Sequence, residues 1–329
     1  MFGGTKSEIL NKQNKIKMNK RLLITGGAGC LGSNIIEKYL PEGHEIVVID
    51  NFATGKREVV PPIKGLKVIE GSVSNKALVD KTFADFAPTH VIHSAAAYKD
   101  PSNWTEDTET NVIGSINVAK ACLAHNVQKL INFQTALCYG RPSKVPIPVS
   151  ESTKPFTSYG ISKTAGEKYL LQSGVEVISL RLANICGPRL SIGPIPTFYT
   201  RLKAGKSVFC SDSERDFLDM EDFLSLLDLA LSGNFAKGVY NVSTGEGHSI
   251  KDVFDVVADY LKMKNIEVPI LPVGEDDVKA VVLDPALTQS VFGWKAKYDF
   301  KETIIRQLEW YDKYGVNDIF SHLSVPTSK

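Results

Sequence analysis

The stretch RLLITGGAGCLGSNIIEKYL, residues 21–40, decides the fold. Leu22, Leu23 and Ile24 form a short apolar run that stops at a glycine pair, and a helix-period pattern starts directly after it. Gly26, Gly29 and Gly32 stand at three-residue intervals in the turn between strand and helix. Gly26 permits the tight turn, Gly29 lets backbone N–H groups come close to a pyrophosphate, and Gly32 lets the helix press against the strand. The helix end then offers its positive pole to the phosphates.

Outward from this unit the chain repeats itself in kind. Further apolar, β-branched runs occur in HEIVVID, LKVIEG, THVIHSA, KLINFQT, VEVISLRLAN and GVYNVS, with segments of helix length between most of them. Runs that are apolar along their full length belong to strands covered on both faces. Strand alternating with helix means right-handed crossovers, so the expected fold class is α/β, a doubly wound, Rossmann-like parallel sheet. NVIGSINVAKACLAHN and SYGISKTAGEKYLLQ are expected to pack on that sheet through Val112, Ile116, Val118, Ala119 and Leu123, and through Ile161, Ala165, Tyr169 and Leu170. Residues 19–187 read as the dinucleotide-binding part, with a later strand near 239–243 returning to it; residues 188–329 read mainly as a smaller α/β substrate-binding part over the carboxyl edge of the sheet.

The second strand, HEIVVID, ends in Asp50, where an acid accepts hydrogen bonds from the adenosine ribose and repels a phosphate on it. The expected cofactor is therefore NAD, although Lys56 and Arg57 follow closely. The 329 residues carry 38 basic and 37 acidic side chains, a net charge of +1, with 43% hydrophobic residues. No basic track for nucleic acid or for a membrane surface stands out, and no window approaches the roughly 20 apolar residues that a membrane span needs. Cys30, Cys122, Cys138, Cys186 and Cys210 lack CxxC spacing and read as reduced thiols of a cytoplasmic protein, with no metal site. Residues 1–18 are lysine-rich and polar and are expected to be a disordered leader.

Tyr159 and Lys163, four apart in TSYGISKTAGEKYLL, share one helix face. A phenol is a poor base at neutral pH, but a neighbouring ammonium and a cationic nicotinamide ring both favour the phenolate. Thr135 closes the strand KLINFQT and should face the same cleft, where its hydroxyl can bridge the phenol and a substrate alcohol. Together these three residues form a hydride-transfer site.

In order along the chain, TGGAGCLGS, VIDNFATGKRE, HSAAAYKDP, TNVIGS, CYG, YGISK, RLANICGPR, RDFLDMEDF and LDPALTQSVFGW closely resemble the extended short-chain dehydrogenase/reductases of the NAD-dependent epimerase/dehydratase family, especially the UDP-glucose 4-epimerases. The resemblance spans about residues 20–315. It implies that Thr135, Tyr159 and Lys163 are catalytic, with Tyr159 as base and Lys163 also on the nicotinamide ribose. It places Gly29, Cys30, Leu31, Asp50, Asn51, Gly55, Val73, Ala95, Ala96 and Lys99 around NAD, and Asn184, Thr197, Val208 and Arg215 around a nucleotide sugar, with Arg215 on the diphosphate. A homodimer through the helices near 111–125 and 158–172, and a role in surface-polysaccharide precursor synthesis, are implied likewise.

Three positions depart from the pattern. Ser72 stands where an aspartate usually contacts adenine; Gly274 stands where an arginine commonly clamps the diphosphate, with Lys279 as a candidate substitute. Val281 falls where a bulky residue in some 4-epimerases narrows the space beside carbon 2 of the sugar, so N-acetylated sugars are expected to fit. The expected activity is 4-epimerisation of a UDP-hexose or UDP-N-acetylhexosamine. A 4,6-dehydratase needs an acid/base pair where this chain has Ala136 and Leu137. A decarboxylase, a reductase or a non-catalytic NAD sensor are the remaining alternatives.

Overall fold

The computed structural model describes residues 19–264, 266–274 and 277–316. The leader assigned to residues 1–18 lies outside the described residues.

The first half of the chain is built from β1 (Arg21–Thr25), α1 (Cys30–Tyr39), β2 (Glu45–Asp50), β3 (Leu66–Glu70), α2 (Lys76–Phe86) and β4 (His90–His93). A short helix α3 (Trp104–Asp107) then runs through a π-helical turn at Thr108–Ile113 into α4 (Gly114–Ala124), followed by β5 (Lys129–Thr135), α5 (Ser158–Gln172) and β6 (Val177–Leu182). Beyond these come β7 (Asn184–Cys186), α6 (Pro194–Lys203), β8 (Cys210–Ser211), β9 (Glu214–Arg215), β10 (Phe217–Asp219), α7 (Met220–Ser232) and β11 (Gly238–Val242). The chain closes with β12 (His248–Ser249), α8 (Ile250–Tyr260), β13 (Ile270–Leu271), β14 (Ala280–Val281), α9 (Ala286–Phe292) and α10 (Phe300–Tyr314).

All seven apolar runs of the sequence enter one sheet, in the order β11-β6-β5-β4-β1-β2-β3, and every pairing in it is parallel. The order reverses direction between β1 and β4, and ligands of such sheets bind at the carboxyl ends of the strands beside that point. One face is covered by α1, α7 and α9, through Ile35, Ile36, Phe223, Leu226, Leu227 and Phe292 packed on Leu22, Ile24, Ile131, Leu180 and Val242. The other face is covered by α2, α4 and α5, through Val79, Phe83, Val118, Cys122 and Leu170. A separate core under α6, α8 and α10 joins Ile195, Phe198, Val253, Phe254, Ile304 and Leu308.

The inner face of α5 differs from the expected apolar stripe. Ile161 and Tyr169 are 52% and 53% exposed, while Gly160, Ser162, Lys163, Thr164, Gly166 and Glu167 are buried. A Cβ at Gly166 would come within 2.2 Å of the Asn111 carbonyl, so only glycine allows α5 to lie this close to the π turn. The helix turns mostly small and polar residues inward beside Leu170 and leaves Ile161 and Tyr169 outside.

Candidate active site

The glycine turn is a cradle that side chains would fill. A Cβ at Gly26, whose φ is +69°, would sit 2.8 Å from the Ala95 backbone, and one at Gly32 would sit 2.4 Å from the Gly26 carbonyl. Gly29 is the N-cap of α1, without a side-chain cap and without an acid in the first turn, so the leading N–H groups are left for a phosphate. Asp50 accepts from the N–H groups of Ala28 and Phe52, both at 2.8 Å, and thereby ties the turn to the end of β2. Burial raises its carboxyl above the usual range against those two hydrogen bonds. Gly55 packs on the same turn, where a Cβ would meet Ala28 at 2.7 Å, and Cys30 donates from Sγ to the Pro188 carbonyl at 3.4 Å. Leu31 is half-buried against the sheet core. Ala95 and Ala96 are half-buried beyond β4, and Val73 is buried where the Asn117 amide holds its carbonyl at 3.0 Å. Asn51 and Lys99 are exposed. Ser72 shares a hydrogen bond with the Ser74 hydroxyl at 2.8 Å. These residues fit a dinucleotide along the carboxyl edge.

The Thr135 hydroxyl lies beside the Tyr159 phenol and acts to lower it, and Thr135 Oγ1 accepts from the Leu137 N–H at 3.2 Å. Lys163 is buried and donates from Nζ to the Phe133 carbonyl at 2.7 Å. Burial pushes its ammonium down to about 8, with Glu167 opposing. In this structure burial is the largest influence on Tyr159. Burial raises Tyr159, and the nearby Tyr98 and Asp107 add to the rise; only the Thr135 hydroxyl opposes them. The Lys163 ammonium is turned to a carbonyl, and the Tyr98 ring packs edge-on against Tyr159 with centroids 6.1 Å apart. A perturbed phenol and a perturbed lysine at one sheet edge are the mark of a proton-transfer site.

The surrounding polar residues are the ones sequence reasoning missed. Asn111, in the π turn, accepts from the Ala97 N–H and donates to its carbonyl, both at 2.9 Å, and donates to Ser162 Oγ on α5 at 3.0 Å. Single π turns inside helices recur at functional sites. Ser115 spends its hydroxyl proton on the Asn111 carbonyl at 2.6 Å, so it can only accept from His93 Nε2 at 3.0 Å. His93 Nδ1 is then the acceptor for the Thr25 hydroxyl at 2.8 Å, and the ring is neutral. Burial pushes it down to about 3, and Lys163 acts in the same direction. Beneath Lys163, Glu167 binds Arg181 at 2.7 Å, Arg181 stacks over Tyr139 at 4.8 Å, and Tyr139 donates to Asn241 at 2.7 Å. The one trace of this in the sequence is the set of polar letters His93, Asn132 and Gln134 inside otherwise apolar strand runs.

The expected substrate residues lie beyond this edge. Arg215 and Val281 are register partners on β9 and β14. Arg215 donates to Asp277 at 2.5 Å, and burial lowers its pKa while Asp277 opposes. Val281 is buried with Ala136, next to Thr135, and with Tyr139 and Ile147. Asn184 donates to the Asp216 carbonyl at 3.1 Å, Thr197 donates to the Gly193 carbonyl at 2.8 Å, and Val208 is packed on the core under α6. Lys279, the candidate substitute for the missing arginine, is directed instead at Asp212 at 3.1 Å. Nothing lies within 4 Å of a Cβ built at Gly274, which borders a cavity of about 510 Å³ lined by Arg141, Pro142 and Val145 and by Val273, Asp277 and Lys279.

A profile of the NAD dependent epimerase/dehydratase family matches residues 22–243. The chain belongs to this family. Among solved structures, this epimerase/dehydratase-family chain is similar to the Bordetella bronchiseptica enzyme WbmG, solved in complex with NAD and in complex with NAD and UDP. The two are 66% identical with a TM-score of 0.90, over 94% of this chain and 99% of that one. Among curated relatives, the UDP-glucose 4-epimerase of Corynebacterium glutamicum is 28% identical over 315 residues, 87% of this chain and 93% of the relative. The UDP-N-acetylglucosamine 4-epimerase of Methanobrevibacter ruminantium M1, solved with UDP-N-acetylmuramic acid, is 26% identical with a TM-score of 0.80, over 90% of this chain and 99% of that one.

Proposed function

We propose that this chain is a nucleotide-sugar 4-epimerase that works with tightly bound NAD on a UDP-hexose or UDP-N-acetylhexosamine. The observation that carries the reading is the grouping of Thr135, Tyr159 and buried Lys163 at the edge that also holds the glycine turn. NAD, when bound, supplies an acceptor for the hydrogen on carbon 4, gives it back to the opposite face, and adds a cationic ring that favours the phenolate. Tyr159 takes the proton of the carbon-4 hydroxyl through Thr135 and later returns it; because the hydride taken from carbon 4 would also come back to that carbon, no net redox follows. Lys163 holds the nicotinamide ribose. Gly26, Gly29, Cys30 and Leu31 take the pyrophosphate, Asp50, Asn51 and Gly55 the adenosine ribose, Ser72 and Val73 the adenine, and Ala95, Ala96 and Lys99 the remaining wall. Arg215 meets the substrate diphosphate, with Asn184, Thr197 and Val208 on the nucleotide and Val281 beside carbon 2. The positions a dehydratase needs for its acid/base pair are Ala136 and Leu137, neither of which can move a proton.

The outward apolar residues favour a homodimer. Ile113 and Leu123, 42% and 49% exposed, lie at the ends of the π turn and α4, and Ile161 and Tyr169 lie on the adjacent α5. An apolar stripe across two packed helices is suited to a second copy of itself. The five free thiols fit a cytoplasmic protein, and surface-polysaccharide precursor synthesis is the proposed setting. Among the described residues, no helix is long and apolar enough to cross a membrane.

The test uses purified protein without added cofactor. NMR should show UDP-glucose and UDP-galactose, or their N-acetylamino counterparts, interconverting; release of water or carbon dioxide, or no reaction across a broad panel, refutes the reading.

A further inference from the structure

Phe133 and Gln134, consecutive at the end of β5, each hydrogen-bond to the helix that carries Tyr159 and Lys163. The Phe133 carbonyl accepts from Lys163 Nζ at 2.7 Å. Gln134 donates from Nε2 to the Lys163 carbonyl at 3.0 Å, and its Oε1 accepts from the N–H of Thr135 at 2.8 Å. Thr135 then meets the Tyr159 hydroxyl. Gln134 is only 2% exposed, so water does not compete for these bonds. The Lys163 carbonyl lies in mid-helix, where it already serves the backbone ladder of α5. The Gln134 bond is therefore an addition to the helix and is not needed to satisfy it. Only an amide of this length can accept from the strand end and donate to the helix at once.

We propose that Gln134 is a positioning residue: its amide fixes the distance between the Thr135 hydroxyl and the Tyr159–Lys163 helix, and so sets the geometry of proton transfer. The inference rests on the 4-epimerase reading above. A rigid brace is useful here because the two reacting hydroxyls sit on different elements, one on a strand end and one on a helix. A displacement of about 1 Å between reacting groups can cost on the order of a hundredfold in rate.

The test compares wild type with Gln134→Met, which has the same reach but neither bond, and Gln134→Glu, which keeps the acceptor and loses the donor to Lys163. Tyr240→Phe is the control: Tyr240 lies on β11 of the same sheet, is buried, and its hydroxyl donates to the Ala236 carbonyl at 2.9 Å with no bond to the helix. Rates are expressed per NAD-loaded site, which removes differences in folding yield. Both Gln134 variants should lose about ten- to a hundredfold in kcat while KM moves by less than about threefold, and the control should keep wild-type kcat. The proposal is overturned if kcat stays within about threefold of wild type, if KM takes the loss, or if the control falls equally. Failure of both Gln134 variants to fold overturns it too, since the residue would then serve folding. If wild type reduces its bound NAD with UDP-hexoses but never interconverts them, the epimerase reading fails alone and Gln134 is scored on the reduction rate. If wild type does neither, both readings fall.

Discussion

Removing the phenol oxygen in Tyr159→Phe takes away the proton acceptor and leaves the ring in place against Tyr98. General-base contributions of this kind are worth about 10²- to 10⁴-fold, or about 3–5 kcal/mol of activation free energy. Thr135→Val is nearly isosteric and removes the one interaction that opposes the upward push on Tyr159. A hydrogen bond to a group that becomes charged is worth about 1.5–3 kcal/mol, or about ten- to a hundredfold. The same substitution also strips the Leu137 N–H of its Thr135 acceptor, which affects stability more than turnover. If both hydroxyls lie on one proton path, the double variant should be no slower than Tyr159→Phe alone, because a broken path cannot be broken twice. The assay is the first-turnover appearance of NADH on mixing with a UDP-hexose, normalised to NAD content. Losses that simply multiply in the double variant would sink the shared path. So would a Tyr159→Phe protein within about tenfold of wild type.

Other consequences are open to measurement. Gly32→Ala puts a carbon 2.4 Å from the Gly26 carbonyl, so the purified variant should carry much less NAD; full occupancy would contradict the cradle. Val281→Tyr places a ring against Ala136 and Tyr139 and should depress turnover of UDP-N-acetylhexosamines more than of UDP-glucose, by about tenfold or more. An equal effect on both sugars would remove Val281 from the specificity argument. His90 and His93 are held neutral, pushed down by burial to about 4 and about 3. Below pH 6.5 the unfolded chain binds protons that the folded one refuses, so stability is present above that pH and should drain away as pH falls toward 4, at up to about 1.4 kcal/mol per unit for each ring. Thermal midpoints that stay flat between pH 7 and 4.5 would contradict it.

Much of the architecture was legible because continuous apolar runs have few other uses: the seven runs from RLLITG to GVYNVS are the seven strands of the sheet. The glycine spacing was legible because backbone approach leaves only one residue type. The packing of α5 was not. Its periodicity pointed to Ile161, Ala165, Tyr169 and Leu170 as the buried face; Leu170 is buried and Ala165 half-buried, but Ile161 and Tyr169 are exposed, and the rest of the buried face is made of small and polar residues. Periodicity reports where apolar residues gather; it does not say whether the sheet or another molecule will cover them. The partner of Lys163 was also out of reach, since four-residue spacing puts it on one helix face with Tyr159 but says nothing about the Phe133 carbonyl that takes up its ammonium. Asn111, Gln134 and His93 bond to partners 14 to 68 residues away, and one sequence does not show such pairings.

The sheet takes its outermost strand, β11, and the cover over β5 and β6, α7, from the chain after residue 219. Phe223 of α7 lies edge-on to Phe133, the residue whose carbonyl holds Lys163, with centroids 5.2 Å apart. A fragment cut at residue 187 would therefore bare an unpaired β6 margin and a greasy sheet face, both invitations to clump. The first 187 residues are thus no transplantable cassette: late-made chain props up early-made chemistry, and the active centre can ripen only when synthesis is well past its own letters.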